Sequence, residues 1–113
     1  MRLFICIFKE SRRSLDDLLA GLLELDIKGA TVLDAMGMGQ VLTADISLFS
    51  GLKNLFPGGG RGTMLLLSVV SEEQVEPAIG LVEDVLGDLS KPGTGIVFTL
   101  PIDRVEGLAR AIS

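Results

Sequence analysis

The run TMLLLSVVSEEQVEPAIGLVEDVL, residues 63–86, changes its hydrophobic period partway along. Up to Val70 it is short, almost wholly apolar and rich in branched residues, which predicts a β-strand over 63–70. Ser71 and Gln74 then stand at the spacing of a capping box, in which the residue three places into a helix reaches back to the backbone N–H of the cap. Val75, Ala78, Ile79, Val82, Val85 and Leu86 follow on one helical stripe. Pro77 has no N–H to donate, so the helix is expected to begin a residue or two late and to hold the proline in its first turn.

Working outward, the same strand-then-helix unit opens the chain. Residues 2–8, RLFICIF, read as a strand. From Ser14 the period becomes helical: Leu15, Leu18, Leu19, Leu22 and Leu23 share one face and read as core, Ser14 is the expected N-cap, and Asp16 and Asp17 fall in the first turn. Residues 26–29 end that helix, and a second strand is expected over 30–35 before MGMGQ interrupts it. Residues 37–62 show no clear long element, although DISLFSGLKNLF could form a turn of helix or a short hairpin. Loops of that length are usually functional or disordered. After the second helix, KPGTG turns the chain into a strand over 96–100, and residues 102–112 are expected to form a short terminal helix.

Strand, helix, strand, strand, helix, strand is the split βαβ order. It predicts a single α+β domain over 1–113 with a ferredoxin-like βαββαβ fold, an antiparallel four-stranded sheet carrying both helices on one face. In the first strand Leu3, Ile5 and Ile7 alternate with Phe4, Cys6 and Phe8, so both faces are apolar, and Leu65, Leu66, Leu67, Val69 and Val70 repeat the pattern. So large an apolar face exceeds what soluble monomers usually leave in water, which predicts a homo-oligomer that buries it.

Composition narrows the function classes. The chain has 113 residues and a net charge of -5, and its basic residues are scattered, which argues against nucleic-acid binding. No apolar run approaches the roughly 20 residues that span a bilayer, so no membrane insertion is expected. Cys6 is the only cysteine and sits in an apolar strand, as a core residue would in a reducing, cytoplasmic setting. Histidine, tyrosine and tryptophan are absent, which removes the commonest neutral-pH acid–base group and the commonest metal ligand. No catalytic residue and no metal site is assigned.

Three stretches together resemble the nitrogen-regulatory PII signalling family and its PII-like relatives: GATVLDAMGMG at 29–39, the long loop after it, and GTGIVFTLPIDRVEGL at 93–108. The resemblance runs along essentially the whole chain. It implies a homotrimer with small effectors bound in clefts between subunits, and a T-loop, about 37–62 here, that reports occupancy to a regulated transporter or enzyme. The family binds adenine nucleotides, so ATP, ADP or AMP is the implied effector. The resemblance places Gly37, Met38, Gly39 and Gln40 against the ligand, together with the turn that holds Lys91, Gly93, Thr94 and Gly95. Typical members follow that turn with a lysine, where this chain has Ile96, and carry two arginines after the last strand, where Gly107 and Ala109 stand. Replacement cations could come from Lys91, Arg61 or Arg104.

PGGGRGT, residues 57–63, closes the same loop. Its glycines can serve mobility, or their N–H groups can turn toward an anion with Arg61, Gly62 and Thr63 at the rim. MGMGQ reads equally as a strand end with a bulge or turn, and KPGTG as a plain turn. Leu48, Phe49, Leu52, Leu55 and Phe56 put apolar side chains in the loop, either to dock a partner or to pack on the protein itself. Two other classes stay open: a constitutive trimeric interaction module without nucleotide binding, and a small enzyme using carboxylates such as Asp34 or Asp45.

Overall fold

The computed structural model describes residues 1–44 and 62–108. Within them the elements run β1 (Arg2–Lys9), α1 (Arg12–Glu24), β2 (Thr31–Ala35), α2 (Met38–Ala44), β3 (Thr63–Val70), α3 (Glu72–Leu86) and β4 (Ile96–Pro101). The strands form one four-stranded sheet in the order β2-β3-β1-β4, with every neighbouring pair antiparallel. This is the α+β arrangement expected from the strand and helix order, and it is consistent with a ferredoxin-like fold.

The two strands most apolar on both faces, β1 and β3, lie at the centre of the sheet. Their register runs from Arg2 opposite Val70 to Lys9 opposite Thr63. Because strand side chains alternate between faces, Phe4, Cys6 and Phe8 share one face with Met64, Leu66 and Val70. There they pack with Leu18 and Leu22 of α1 and Ala78 and Val82 of α3. Both long helices therefore cover the same side. Each fully buried Leu, Val or Phe contributes about 1.5–3 kcal/mol. Ser68, the buried polar residue on this face, donates its hydroxyl to the Gly29 carbonyl at 2.6 Å and so fixes the approach to β2.

The other face has no covering layer among the described residues. Leu3, Ile5 and Ile7 lie beside Val69, Leu67 and Leu65 on one flank and beside Leu100, Phe98 and Ile96 on the other. Leu33 continues the row of Leu65, Ile7 and Ile96. Ile96, Phe98 and Leu100 are exposed by 58%, 42% and 48%, far more than core positions.

The elements depart from the sequence expectations at several points. The N-cap of α1 is Ser11, not Ser14; the Ser11 hydroxyl accepts from the Ser14 N–H at 3.2 Å. Ser11 already has extended backbone as the chain leaves β1, so the helix starts a turn earlier and Asp16 and Asp17 move out of the first turn. Leu18 and Leu22 are buried, whereas Leu19 and Leu23 lie on the exposed flank of the stripe. The helix stops at Glu24, where Ile27 N–H donates to the Leu22 carbonyl and Asp26 N–H to that of Leu23. That pair of bonds is a Schellman motif, with Asp26 in the left-handed conformation at φ 64° and Ile27 packed into the core.

Helix α3 does not start late. It begins at Glu72, directly after Ser71, and Pro77 sits in its second turn. The missing proline N–H would have bonded the carbonyl of Glu73, an exposed residue that water can serve. Gln74 offsets the loss. Its Oε1 accepts from Ser71 N–H at 2.9 Å while its Nε2 donates to the carbonyls of Leu25 and Asp26, tying the start of α3 to the end of α1.

Two further corrections fall at the ends of β2 and β4. Met38–Ala44 is a helix where no element was expected, opened by Val41 N–H donating to the Gly37 carbonyl at 3.0 Å. Residues 102–108 are irregular instead of helical, with Gly107 at φ 86°. No described helix is long and apolar enough to cross a membrane.

Burial pushes the Cys6 thiol up to about 11 from 9.0. The unfolded chain therefore loses this proton first as pH rises, so the contribution of Cys6 to stability holds below the ordinary thiol pKa and declines between 9.0 and about 11. At about pH 8 the folded protein should resist iodoacetamide while urea-unfolded protein is alkylated. Rapid alkylation of the folded chain, read by mass spectrometry, would contradict this burial.

Candidate functional site

The strand register brings four chain segments to one end of the sheet. β1 ends there at Lys9, opposite Thr63 at the start of β3, and Thr63 in turn faces Ala35 at the end of β2. β4 begins at the same end, with Ile96 opposite Ile7. The segments after β2 and before β4 must hang over this end. Those two segments are the glycine-rich stretches of the sequence.

They flank a cleft of about 320 Å³. Its floor is Ile7, Phe8 and Lys9 of β1 with Thr63 of β3. One wall is Gly37, Met38, Gly39 and Gln40, at the start of α2, and the other is Gly93, Gly95 and Ile96. β2 and β4 are opposite edges of the sheet, so the walls stand roughly 14 Å apart, three strand spacings of about 4.8 Å.

One glycine is required by what lies beside it, and a second is closely approached by a side chain. A Cβ on Gly95 would come within 3.1 Å of the Ile7 carbonyl oxygen, at a φ of 151° that side-chain-bearing residues rarely adopt. A Cβ on Gly37 would come within 3.2 Å of the Thr63 hydroxyl. The turn behind Gly93 and Gly95 is held by Asp88, whose Oδ1 accepts from both the N–H and the hydroxyl of Ser90 at 2.9 and 2.7 Å. These bonds favour the ionised carboxylate and lower the Asp88 pKa. MGMGQ is therefore a helix start and not a bulge, and KPGTG is a turn that also forms a wall.

Of the residues expected at a site, Gly37, Met38, Gly39, Gln40, Thr63, Gly93 and Gly95 line the cleft. Lys91 and Thr94 belong to the adjoining turn, where Thr94 N–H donates to the Lys91 carbonyl, and they do not line it. Gly62 sits beside the rim, its carbonyl accepting from Glu10 N–H at 2.9 Å. Arg104 pairs with Glu106 at 2.8 Å and is not among the lining residues. Asp34 is exposed on β2 and is likewise not a lining residue. Arg61, Asp45, Leu48, Phe49, Leu52, Leu55 and Phe56 lie outside the described residues.

The sequence reading missed Ile7, Phe8, Lys9 and Ile96. Lys9 was the legible one, a charge closing an apolar strand. It is the cationic residue among the described lining, where no carboxylate appears, and among the described residues its ammonium has no ion-pair partner. Gln40 Oε1 is buried without a hydrogen-bond partner. Leaving such an acceptor unsatisfied costs about 1–3 kcal/mol. The described residues hold no group of three metal-ligating side chains. No family model matches the chain, and no curated protein matches it.

Gly95→Ala should lower stability by about 1–3 kcal/mol in urea unfolding, because the Ile7 carbonyl belongs to a central strand and cannot yield. Gly80→Ala, with nothing within 4 Å of the added methyl, should be neutral or stabilising by about 0.5–1 kcal/mol. Equal effects from the two would disprove the close packing assigned to Gly95.

Proposed function

We propose that the protein is a PII-like regulator, which binds a small effector in the cleft and controls a partner protein through the segment joining α2 to β3. One observation carries this reading: two glycine-rich stretches more than 50 residues apart in sequence flank one cleft, and one of them begins the chain that leads into residues 45–61. An effector seated between the walls touches the start of α2 directly. Occupancy then biases the conformation of the chain beyond α2. A regulator is favoured over an enzyme because Cys6 is buried and protonated, and no carboxylate is found among the described residues that line the cleft.

The uncovered apolar face supports a homo-oligomer, a trimer by the PII resemblance, in a cytoplasmic setting. Phe98 and Leu100 lie on that face and are half-exposed in one subunit. In the assembly they are covered by a neighbouring copy. Phe98→Glu should therefore dissociate the oligomer in light scattering, since an unpaired carboxylate would be buried at the contact. A wild-type protein that is already a monodisperse monomer would defeat the assembly.

The effector reading is tested by calorimetry of the assembled protein against ATP, ADP, AMP and cyclic AMP, with and without magnesium, beside limited proteolysis within 45–61. Saturable binding of at least one member of this panel near one ligand per subunit, with altered cleavage of that segment, is the expected result. Partner capture indifferent to every metabolite would instead favour a constitutive interaction module.

A further inference from the structure

Each subunit contributes one cationic side chain to the described lining of the cleft, Lys9, and no carboxylate. Lys9 is half-buried at the end of a central strand, and among the described residues its ammonium makes no ion pair, the neighbouring Glu10 carboxylate lying against Gly62. Around it the surface is mostly apolar side chain, from Ile7, Phe8, Met38 and Ile96, and glycine backbone, with Thr63 and Gln40 as the uncharged polar members. The volume of about 320 Å³ is at the lower end of the roughly 300–1,000 Å³ typical of ligand pockets.

We propose that the cleft selects a compact, singly charged anion with an apolar body, its charge set against Lys9, over polyanions. This rests on the reading of the cleft as the effector site and narrows it. One negative charge is matched by the Lys9 ammonium. Every further charge would leave water with no second cation among the described lining residues to meet it, and such desolvation is costly. The net charge of -5 on the chain adds long-range repulsion of polyanions. A ligand that also carries an N–H or O–H group gains a second anchor, because rotation of the Gln40 side chain presents its unpartnered Oε1 as an acceptor.

The test uses benzoate, phthalate and benzene-1,2,4-tricarboxylate, which share an aromatic body and carry one, two and three negative charges. Each is titrated into isotopically labelled, assembled protein, and the amide shifts of Gly37, Gly93 and Gly95 are followed by NMR. Benzoate should shift these amides saturably, and affinity should fall with each added carboxylate. Lys9→Gln should weaken benzoate by roughly tenfold or more, the loss of one charge-assisted contact, while Lys9→Arg should stay within a few-fold of wild type. Unfolding midpoints of both variants confirm that they are folded.

Affinity that rises with charge would overturn the charge selection while leaving the cleft as an effector site. Binding of benzoate unchanged by Lys9→Gln would overturn it as well, as would silence of the cleft amides toward all three compounds. Lys9-dependent benzoate binding without altered cleavage of 45–61 by any cleft ligand would uphold the charge selection and sink the regulatory reading instead.

Discussion

The pairing of β1 with β3 is the constraint on which the other features depend. Two strands apolar on both faces are poorly suited to a sheet edge, where unpaired backbone groups would stand beside exposed apolar side chains. At the centre of the sheet each gains a second strand, β4 beside β1 and β2 beside β3. The register from Arg2–Val70 to Lys9–Thr63 then decides which side chains meet the helices and which face outward. It also decides which end of the sheet carries Lys9 and Thr63.

The helix layer is fastened as well as packed. Gln74 closes the start of α3 and at the same time reaches the carbonyls of Leu25 and Asp26 just past α1, so one side chain joins the start of one long helix to the end of the other. Ser68 performs a similar task within the core by holding Gly29. These polar contacts position the chain as it enters β2, and β2 in turn delivers Gly37 to Gln40 to the cleft. The opposite face of the sheet has no such cover among the described residues. Its apolar rows reach the same end, where Ile7 and Ile96 are at once the last members of the outer face and part of the cleft. A surface that buries the outer face must therefore come close to the cleft, which is the physical link between assembly and effector binding in the proposed function.

Much of this was legible in the chain. The short, almost wholly apolar runs at residues 2–8 and 63–70, rich in branched side chains, marked both central strands, because such side chains suit a pleated sheet. The capping-box spacing of Ser71 and Gln74 placed the start of α3 better than the proline did. Propensity treats Pro77 as a breaker, yet the buried stripe of Ala78 and Val82 outweighs one missing hydrogen bond whose carbonyl belongs to an exposed residue. At Met38–Ala44 the glycines masked a helix, since their low propensity says nothing of the bonds that open it. The helix expected over 102–112 is absent from residues 102–108, and the remainder of that span lies outside the described residues.

The sequence by itself determined the order of the four strands and the two long helices, the apolar second face and the glycine-rich segments able to approach a ligand. Each of these depends on local period or on residue type. Only the tertiary structure decided that MGMGQ and KPGTG face each other across one cleft, that Lys9 lies between them and that Lys91 does not line it. Those facts depend on strand register, and register is set by contacts between residues far apart in the chain. A shift of one residue would turn Lys9 to the other face of the sheet.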